Sequence, residues 1–502
     1  MKYLERILDK HTMYQILTVV LGTYVAGAMA LSMFGAIRYS LLDLGLSLIV
    51  IMMATVISHY LLVKMTNAPA NMWSSVITAL ILFLIFTPTS DVGGLLALAV
   101  VAFIAVVSKY VVRYRNVHLF NPVAFAAVLA GLFGLGYASW WVGSLFLAPL
   151  VIVGGLVVSY KIRRLPMVLV GIVASIVMVG LYSILRGNIG FDVFHNLLLT
   201  SPLWFFMTIM VTEPLSTPAG RTMQIFYGGF IGLLSQIPFA LGPVFNSPEL
   251  TLLIANALVW PLSLRGRLTL TLKTISDVAL NTKEYIFKPS FLVVFKPGQY
   301  LEWALPHTYS DGRGSRRYFT IASSPLKQNL RLVVRHSEPG STYKHALAEM
   351  KRGDVIHAAQ LAGDFVLPEH LNENKYVFVA GGIGVTPFVS MVEDCLLKKQ
   401  SLDAHLLYCN NELDDIAYLD IFDRARNIGL ATTHVLNKPP EQWPGESGYL
   451  TPESVKRLVP DVLERKIYLS GPPGMVGAYE TLFRQLGVPK HNIKTDYFPG
   501  LA

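Results

Sequence analysis

Val379-Ala380-Gly381-Gly382-Ile383-Gly384-Val385-Thr386-Pro387 is the stretch that decides the architecture of the C-terminal half. It follows a strand-like run, Lys375-Tyr376-Val377-Phe378, and opens a helical one. Glycines in a strand-to-helix turn let the backbone approach a dinucleotide pyrophosphate, and the helix start offers it free N–H groups. A glycine cluster alone is a weak signal. Here AHLLYCN (404–410), ATTHVLN (431–437) and RKIYLSG (465–471) continue as strand-like runs separated by helical stretches. That is the alternation of an open parallel sheet. Ser470-Gly471-Pro472-Pro473-Gly474-Met475 then places a second glycine–proline turn at a strand end. Residues 371–502 therefore read as an α/β nucleotide-binding domain.

Upstream, the segment 266–370 changes character. LTLTLKTISDV (268–278), SFLVVF (290–295), QYLEWAL (299–305), RYFTIASS (317–324) and LRLVVRHS (330–337) read as short strands punctuated by Gly and Pro. Without long helices between them, they suggest a small antiparallel β-barrel. Arg317-Tyr318-Phe319-Thr320 ends a basic loop in this barrel. Arginine forks onto a pyrophosphate, an aromatic ring covers a flavin, and a hydroxyl bonds the flavin edge. Pro339-Gly340-Ser341-Thr342 precedes the helical YKHALAEM, a start suited to a phosphate. After the second strand of the α/β domain comes Cys-Asn-Asn-Glu-Leu-Asp-Asp (409–415). A 2′-phosphate would want Arg or Lys there; acids stand instead, which favours NADH over NADPH.

PGQY at 297–300, RYFT at 317–320, GGIGVTP at 381–387 and SGPPGM at 470–475 occur in order. Together they closely resemble the ferredoxin–NADP reductase superfamily, from about residue 267 onward. The resemblance implies FAD and NAD(P)H as cofactors. It implies that Arg317 binds the FAD pyrophosphate with Tyr318 beside it, that Phe319 stacks on the isoalloxazine, and that Thr320 sits near flavin N5. Gly340, Ser341 and Thr342 would complete the FAD phosphate site. Gly381, Gly382, Gly384, Thr386 and Pro387 would cradle NAD(P)H. Gly471, Pro472 and Met475 would line the nicotinamide side, with Ser470 and Phe498 at the reacting centre alongside Thr320. Two departures stand out: Phe319 replaces the more usual Tyr, and Ser470 replaces a frequent Cys.

Residues 1–265 are of another kind. They carry 14 Lys and Arg against 7 Asp and Glu, whereas residues 266–502 carry 27 against 25. Ten apolar segments can be marked, near 12–37, 41–63, 74–86, 92–112, 121–136, 139–159, 166–186, 196–212, 223–241 and 249–264. A span needs about 20 residues, so the third, fifth, eighth and tenth are short, either tilted or broken and completed by shielded irregular backbone. The first run, about Met13 to Ile37, lacks a small-residue cleavage site and reads as a retained helix. Of the basic residues flanking the spans, Lys2, Arg6, Lys10, Lys64, Lys109, Arg113, Arg115, Lys161, Arg163, Arg164 and Arg221 fall on the N-terminal side. Only Arg38 and Arg186 fall on the other. The bias puts both termini in the cytoplasm. It also explains the basic balance without nucleic acid.

This half repeats. Ser75 and Ser201, Pro88 and Pro214, and Pro122 and Pro248 share one offset of 126 residues. Five helices per copy would invert the copies across a bilayer, an arrangement that places binding sites at the repeat interface. SSVITALILFLIFTP, HLFNPVAFA and MVTEPLSTPAG with IFYGGFIG resemble two membrane subunits of bacterial redox complexes. These are the B subunit of the sodium-pumping NADH:quinone oxidoreductase and the D subunit of the Rnf complex. The resemblance implies a flavin-bearing scaffold, FMN or riboflavin, and further redox-complex subunits. Ser201, beside Thr200, takes the place of the family's flavin-carrying threonine, without the accompanying Gly-Ala. A hydroxyl there also suits a helix cap. Glu213 before Pro214 marks either a proton, ion or quinone path or an interfacial carboxylate.

The composition narrows the chemistry. Two cysteines, Cys395 and Cys409, are too few for an iron–sulfur cluster and read as core residues. His11, His59, His118 and His195 offer no pair on one helix for haem, and no metal site is expected. The chain therefore reads as a bacterial inner-membrane flavin oxidoreductase. Electrons would pass from NAD(P)H through FAD to a flavin or quinone in the membrane half, then to a quinone or redox-protein acceptor. A redox-linked ion transporter and a membrane-anchored reductase are the alternatives.

Overall fold

The computed structural model describes residues 11–66, 72–114, 117–187, 190–214, 216–218, 221–242, 244–262, 268–305, 307, 311, 314–336 and 340–497. The chain divides into two compact units, residues 1–266 with 308–314, and residues 267–307 with 315–502.

The first unit is helical. Its helices are α1 (Met13–Met33), α2 (Leu41–Thr66), α3 (Met72–Ile85), α4 (Val92–Val111), α5 (Pro122–Leu132), α6 (Ala148–Lys161) and α7 (Leu165–Leu185). The pair α8 (Phe191–Thr200) and α9 (Leu203–Met210) follows, bent by 51° and containing two π-helical turns. Then come α10 (Arg221–Leu234) and α11 (Pro248–Leu262). Each of the ten apolar segments thus contains helix. Among the described residues four helices (α1, α2, α4 and α7) are long and apolar enough to cross a membrane, and the bent pair makes a fifth if counted as one span.

Local sequence sets the helix ends. Thr12 and Gln15 form a reciprocal capping box at α1, and the Asp91 carboxylate accepts from Gly94 N–H at α4. Asn121 accepts from Val123 and Ala124 N–H ahead of Pro122, so this proline takes the first helical position, where its missing N–H costs nothing. Pro248 likewise opens α11.

Two expected spans are shorter than the apolar pattern suggests. The sixth begins at Ala148 rather than 139, because the preceding residues serve α3. Trp140 and Val142 N–H donate to Ile85 and Leu84 carbonyls at 2.8 and 3.3 Å, and Trp141 Nε1–H donates to Phe83 O at 2.8 Å. A short helix that ends inside the unit leaves such carbonyls without helical donors, and irregular backbone here supplies them. The ninth ends at Leu234, where Asn246 Nδ2 caps the Leu234 and Ile237 carbonyls at 2.8 Å each.

Helices α7 and α10 cross with small residues face to face. A Cβ on Gly228 would strike Met167 O, and one on Gly232 would strike Gly171 O. Ser175 Oγ donates to Gly232 O at 3.0 Å across the same contact. Close backbone approach through small residues spaced by four is a means of helix association in lipid.

The second unit holds two six-stranded sheets. The first comprises β1 (Leu268–Ala279), β2 (Thr282–Pro289), β3 (Tyr300–Ala304), β4 (Arg316–Thr320), β5 (Leu330–Arg335) and β6 (Val355–Ala362). It is antiparallel in the order β4-β3-β6-β1-β2-β5. Its edges come together where Ala322 N–H donates to Arg331 O at 2.9 Å, and every strand feeds or lines one core around Phe287, Trp303 and Leu332. The expected strand SFLVVF is irregular instead. Chain pairing passes to β2, which ends at Pro289, and Leu292 and Val294 are 72% and 80% exposed.

The second sheet comprises β7 (Lys375–Gly381), β8 (Ala404–Asn410), β9 (Leu430–Leu436), β10 (Glu446–Ser447), β11 (Arg465–Gly471) and β12 (Ile493–Tyr497). It is wholly parallel in the order β10-β9-β8-β7-β11-β12. Side chains of β7 alternate between two cores. Tyr376, Phe378 and Ala380 pack with α13 (Thr386–Lys398) and α14 (Leu419–Ala425); Val377 and Val379 pack with α15 (Pro452–Leu458) and α16 (Pro473–Gln485). A further α-helix, α12 (Thr342–Ala348), follows β5. Strand order reverses between β7 and β11, so a crevice opens at their carboxyl ends.

The α7–α10 crossing is testable. Gly232→Val is expected to lower the thermal unfolding midpoint of the detergent-solubilised protein, by the roughly 1–3 kcal/mol that overpacking costs. Gly22→Ala, with nothing within 4 Å of its Cβ, is expected to leave the midpoint in place. Equal midpoints for both variants would refute the tight crossing.

Candidate functional site

The crevice at β7 and β11 is built of backbone. Gly382 sits at φ 51°, a left-handed conformation open to glycine, and turns the chain from β7 into α13. A Cβ on Gly384 would lie 2.5 Å from Ser470 O and 2.6 Å from Gly471 Cα. Side chains are excluded there by space. Met475 and Pro472 pack over Gly381 from the start of α16. Helix α13 begins at Thr386 with Pro387 in its first turn and no side-chain cap, while Thr386 Oγ1 donates back to Ile383 O at 3.2 Å. The Thr386 N–H donates to Ile383 O of the preceding turn and Pro387 has none to offer, so the glycine turn rather than the first residues of α13 leaves room for a phosphate. Gly381, Gly382, Gly384, Thr386, Pro387, Gly471, Pro472 and Met475 thus come together as the sequence suggests. Phe498 lies outside the described residues.

The antiparallel sheet gathers a second set. Arg317 on β4 places its guanidinium over the Tyr343 ring at 5.2 Å, beside the start of α12. That brings Arg317 to Gly340, Ser341 and Thr342, which sequence spacing leaves 23 residues or more away. Ser341 Oγ accepts from Lys344 N–H, and Thr342 Oγ1 contacts His307 Nε2 at 2.9 Å. Burial raises the Tyr343 hydroxyl above its ordinary range, with Arg317 opposing that rise. Phe319 packs on the barrel core with its ring 5.9 Å from Tyr343. Tyr318, on the opposite face, is 40% exposed and meets Tyr300 edge-on at 5.6 Å. The sequence singles out Phe319 as the flavin-stacking ring, yet Tyr318 and Tyr300 form the more open aromatic pair.

Two hydroxyls test the fit to a flavin and a nicotinamide. Thr320 and Ser470 are 4% and 0% exposed, and neither Oγ atom has a hydrogen-bond partner within the protein. An unsatisfied buried hydroxyl costs roughly 1–3 kcal/mol. These lie at the end of β4 and the end of β11, two of the three positions singled out for the reacting centre. A polar ligand edge at each would remove the penalty, so the residues present fit the cofactors.

The acids after β8 are engaged. Asp415 pairs with Arg335 at 2.8 Å and Glu412 with Lys438 at 3.5 Å. The two basic residues come from distant positions that the local sequence does not reveal, and both are already matched by carboxylates. Cys395 is buried, and burial, reinforced by Asp394, pushes its thiol up to about 12. It is therefore a core residue rather than a nucleophile.

In the helical unit, Ser201 Oγ donates to Leu197 O and accepts from Leu203 N–H at 3.2 Å, the local capping role. Thr200 Oγ1 bonds Asn196 O. Glu213 is held by His118 Nε2 and Ser216 Oγ, at 2.9 Å each. Lys109 Nζ donates to Ser74 O, Ser74 Oγ and Thr78 Oγ1 at 2.7–3.1 Å.

Residues 378–481 match the family described as the oxidoreductase NAD-binding domain. The chain is 26% identical over 308 residues to NADH-cytochrome b5 reductase 1 of Emericella nidulans, a match covering 57% of this chain and 96% of that one. It is 25% identical over 239 residues to flavohemoprotein A of Dictyostelium discoideum, covering 44% of this chain and 58% of that one. Thus it spans little more than half the length of the flavohemoprotein. Among solved structures, it is similar to the FAD/NAD-binding domain of nitric oxide dioxygenase from Vibrio cholerae O1 biovar El Tor. That likeness has a TM-score of 0.42 and 18% identity, over 46% of this chain and 98% of that one. Flavohemoglobin from Malassezia yamatoensis gives 0.43 and 16%, over 66% and 79%. The second unit carries an FAD- and NAD(H)-binding oxidoreductase module.

Gly384→Ala is expected to weaken NAD+ binding about tenfold or more, since overpacking of roughly 1–3 kcal/mol falls directly on the crevice floor. Calorimetric titration with NAD+ checks this, and FAD content should be retained. Wild-type affinity in the variant would mean that the crevice is not the nicotinamide site.

Proposed function

We propose that this chain is a membrane-bound oxidoreductase. It passes electrons from NADH, through FAD in the second unit, to a carrier held by the helical unit, either a flavin or a quinone. The observation that carries the reading is the pair of orphaned hydroxyls, Thr320 Oγ1 and Ser470 Oγ, at the carboxyl ends of β4 and β11. FAD, when bound, supplies the conversion of a two-electron hydride into single electrons. The chain's own residues then have distinct tasks. Arg317 neutralises the pyrophosphate, with Gly340, Ser341 and Thr342 presenting the rest of the phosphate site. Phe319 stacks on the ring system, with Tyr318 beside Arg317. Thr320 directs its hydroxyl to the flavin edge. Gly381, Gly382, Gly384, Thr386 and Pro387 admit the NADH pyrophosphate, and Gly471, Pro472 and Met475 wall the nicotinamide, with Ser470 at its edge. Carboxylates at 412, 414 and 415 disfavour a 2′-phosphate.

The helical unit resembles the membrane subunits of the sodium-pumping NADH:quinone oxidoreductase and Rnf complexes in its quoted motifs and in the offset-126 repeat. That likeness supports a bacterial inner-membrane location with both termini cytoplasmic. The domain division proposed is 1–265, 266–370 and 371–502. The acceptor is a quinone or a redox protein, the latter in keeping with the cytochrome in the relatives' name. A second reading, a membrane-anchored reductase with no carrier in the helical unit, is favoured by Ser201, whose hydroxyl is consumed in capping.

A flavin inventory of the purified protein separates the two. FAD with a second flavin, free after acid extraction or fluorescent on the denatured band, is the expected result for the relay. FAD alone would rule out the internal two-flavin route and leave quinone reduction or anchoring. In the same assay Arg317→Ala is expected to cut FAD affinity about tenfold or more, the loss of a charge-assisted contact.

A further inference from the structure

We propose that Arg331 is a positioning residue for hydride transfer, clasping the flavin-side sheet to the nicotinamide-side sheet and so setting the reach between the two cofactors. The inference rests on the reading that NADH reduces FAD across this seam. The step moves one hydride. The C4–H bond of NADH breaks, the N5–H bond of the flavin forms, and NAD+ and anionic reduced FAD result.

Arg331 lies on β5, outside every motif assigned to cofactor binding, and its side chain is only 11% exposed. Its Nε forms an ion pair with Glu284 of β2 at 2.8 Å, and its Nη2 bonds Glu393 of α13 at 3.1 Å. Nη1 donates to Ala322 O, two residues past Thr320. The guanidinium lies over the Tyr418 ring at 5.4 Å, and the Tyr418 hydroxyl donates to Glu284 at 2.8 Å. One side chain thus joins the strand that ends in Thr320, a neighbouring strand, the helix that begins at the glycine turn, and the loop before α14.

The same seam carries further bonds. Ser324 N–H donates to Glu393 at 2.9 Å, Ser324 Oγ to Asp394 at 2.7 Å, and Ser390 Oγ to Ser323 O at 2.8 Å. Lys327 adds a second cation to Glu393. Burial would raise the Glu393 carboxyl, but Arg331, Lys327 and the Ser324 amide hold it below the ordinary range, so the cluster is ionised at neutral pH.

Two features argue that this cluster specifies geometry rather than stability alone. A buried ion network gains little over well-packed apolar residues, because desolvation offsets the attraction. And Tyr418 sits at φ 62°, a left-handed conformation that a bulky residue adopts only where its surroundings over-determine it. The strain falls on the residue that reaches from the nicotinamide side to Glu284. Hydride transfer is steep in distance, and a displacement of about 1 Å can cost on the order of 10²-fold.

The test uses the full-length protein and single-turnover reduction of its flavin by NADH, followed by absorbance. Arg331→Met is expected to slow reduction at saturating NADH by about tenfold to a hundredfold. FAD content and the NADH concentration at half-saturation should stay unchanged, and the primary isotope effect with C4-deuterated NADH should rise. Arg331→Lys, which keeps one charged contact, should recover part of the rate. In the flavin-stripped protein, the Ser324 amide should exchange faster in Arg331→Met than in wild type. An unchanged rate in Arg331→Met overturns the proposal. So does a rate lost in parallel with FAD content and NADH affinity, since that is the mark of a merely structural residue. If Arg331→Met does not fold, Tyr418→Phe and Glu393→Gln carry the same comparison. A wild-type flavin that NADH does not reduce at all overturns the underlying reading before any variant is compared.

Discussion

The second unit depends on a contact between main chains. At the ends of β7 and β11 the turn at Gly384 lies against Ser470 and Gly471 so closely that no Cβ fits between them. This contact determines what the parallel sheet can do. Adjacent parallel strands whose connections leave to opposite faces always open a crevice. Here the crevice has a floor made of N–H and C=O groups rather than side chains, and α13 begins directly from it. A larger residue at Gly384 would push the helix away from the strand ends.

That constraint explains what was legible. Glycine at a crowded turn leaves a signature in one dimension, because the reason for it lies within a few residues of chain. The βαβ alternation around 375–471 was equally open to reading, since fully buried strands must be apolar on both faces. The six strands of the antiparallel sheet were less so. β2 carries Lys283, Glu284 and Lys288, and its polar face hides the pattern. SFLVVF, with the stronger apolar signal, has no strand beside it and stays irregular. The Arg317–Tyr343 contact and the Arg331 cluster were beyond reach for a different reason. They join positions 26 to 134 residues apart, and contacts between distant polar residues have no periodicity to betray them.

In the helical unit, hydropathy located each helix but misjudged lengths. Apolar composition reports which residues avoid water, not which are helical. Residues 139–147 are apolar and non-helical, because they are spent on the carbonyls at the end of α3. The bend between α8 and α9 has a more visible cause, since Pro202 cannot continue the ladder and Ser201 fills the gap with its own hydroxyl. Glu213 is held by His118 and Ser216, a pairing that joins positions 95 residues apart and that hydropathy does not reveal.

Unsatisfied hydroxyls draw a sharper line than either motif or hydropathy. Ser201 and Ser75 are related by the 126-residue offset, yet they differ in state. Ser201 both donates and accepts within its own helix break, whereas Ser75 Oγ is fully buried on α3 without a hydrogen-bond partner. A buried hydroxyl in that condition carries the same penalty as Thr320 and Ser470, about 1–3 kcal/mol each. Folding alone gives no reason to keep a hydroxyl where Ala or Val would do as well. At 320 and 470 a bound flavin and nicotinamide would supply one under the proposed function. At 201 the helix break supplies one without any ligand, and this is why the identity of the residue there, taken from sequence, bears so little weight on whether a flavin is attached.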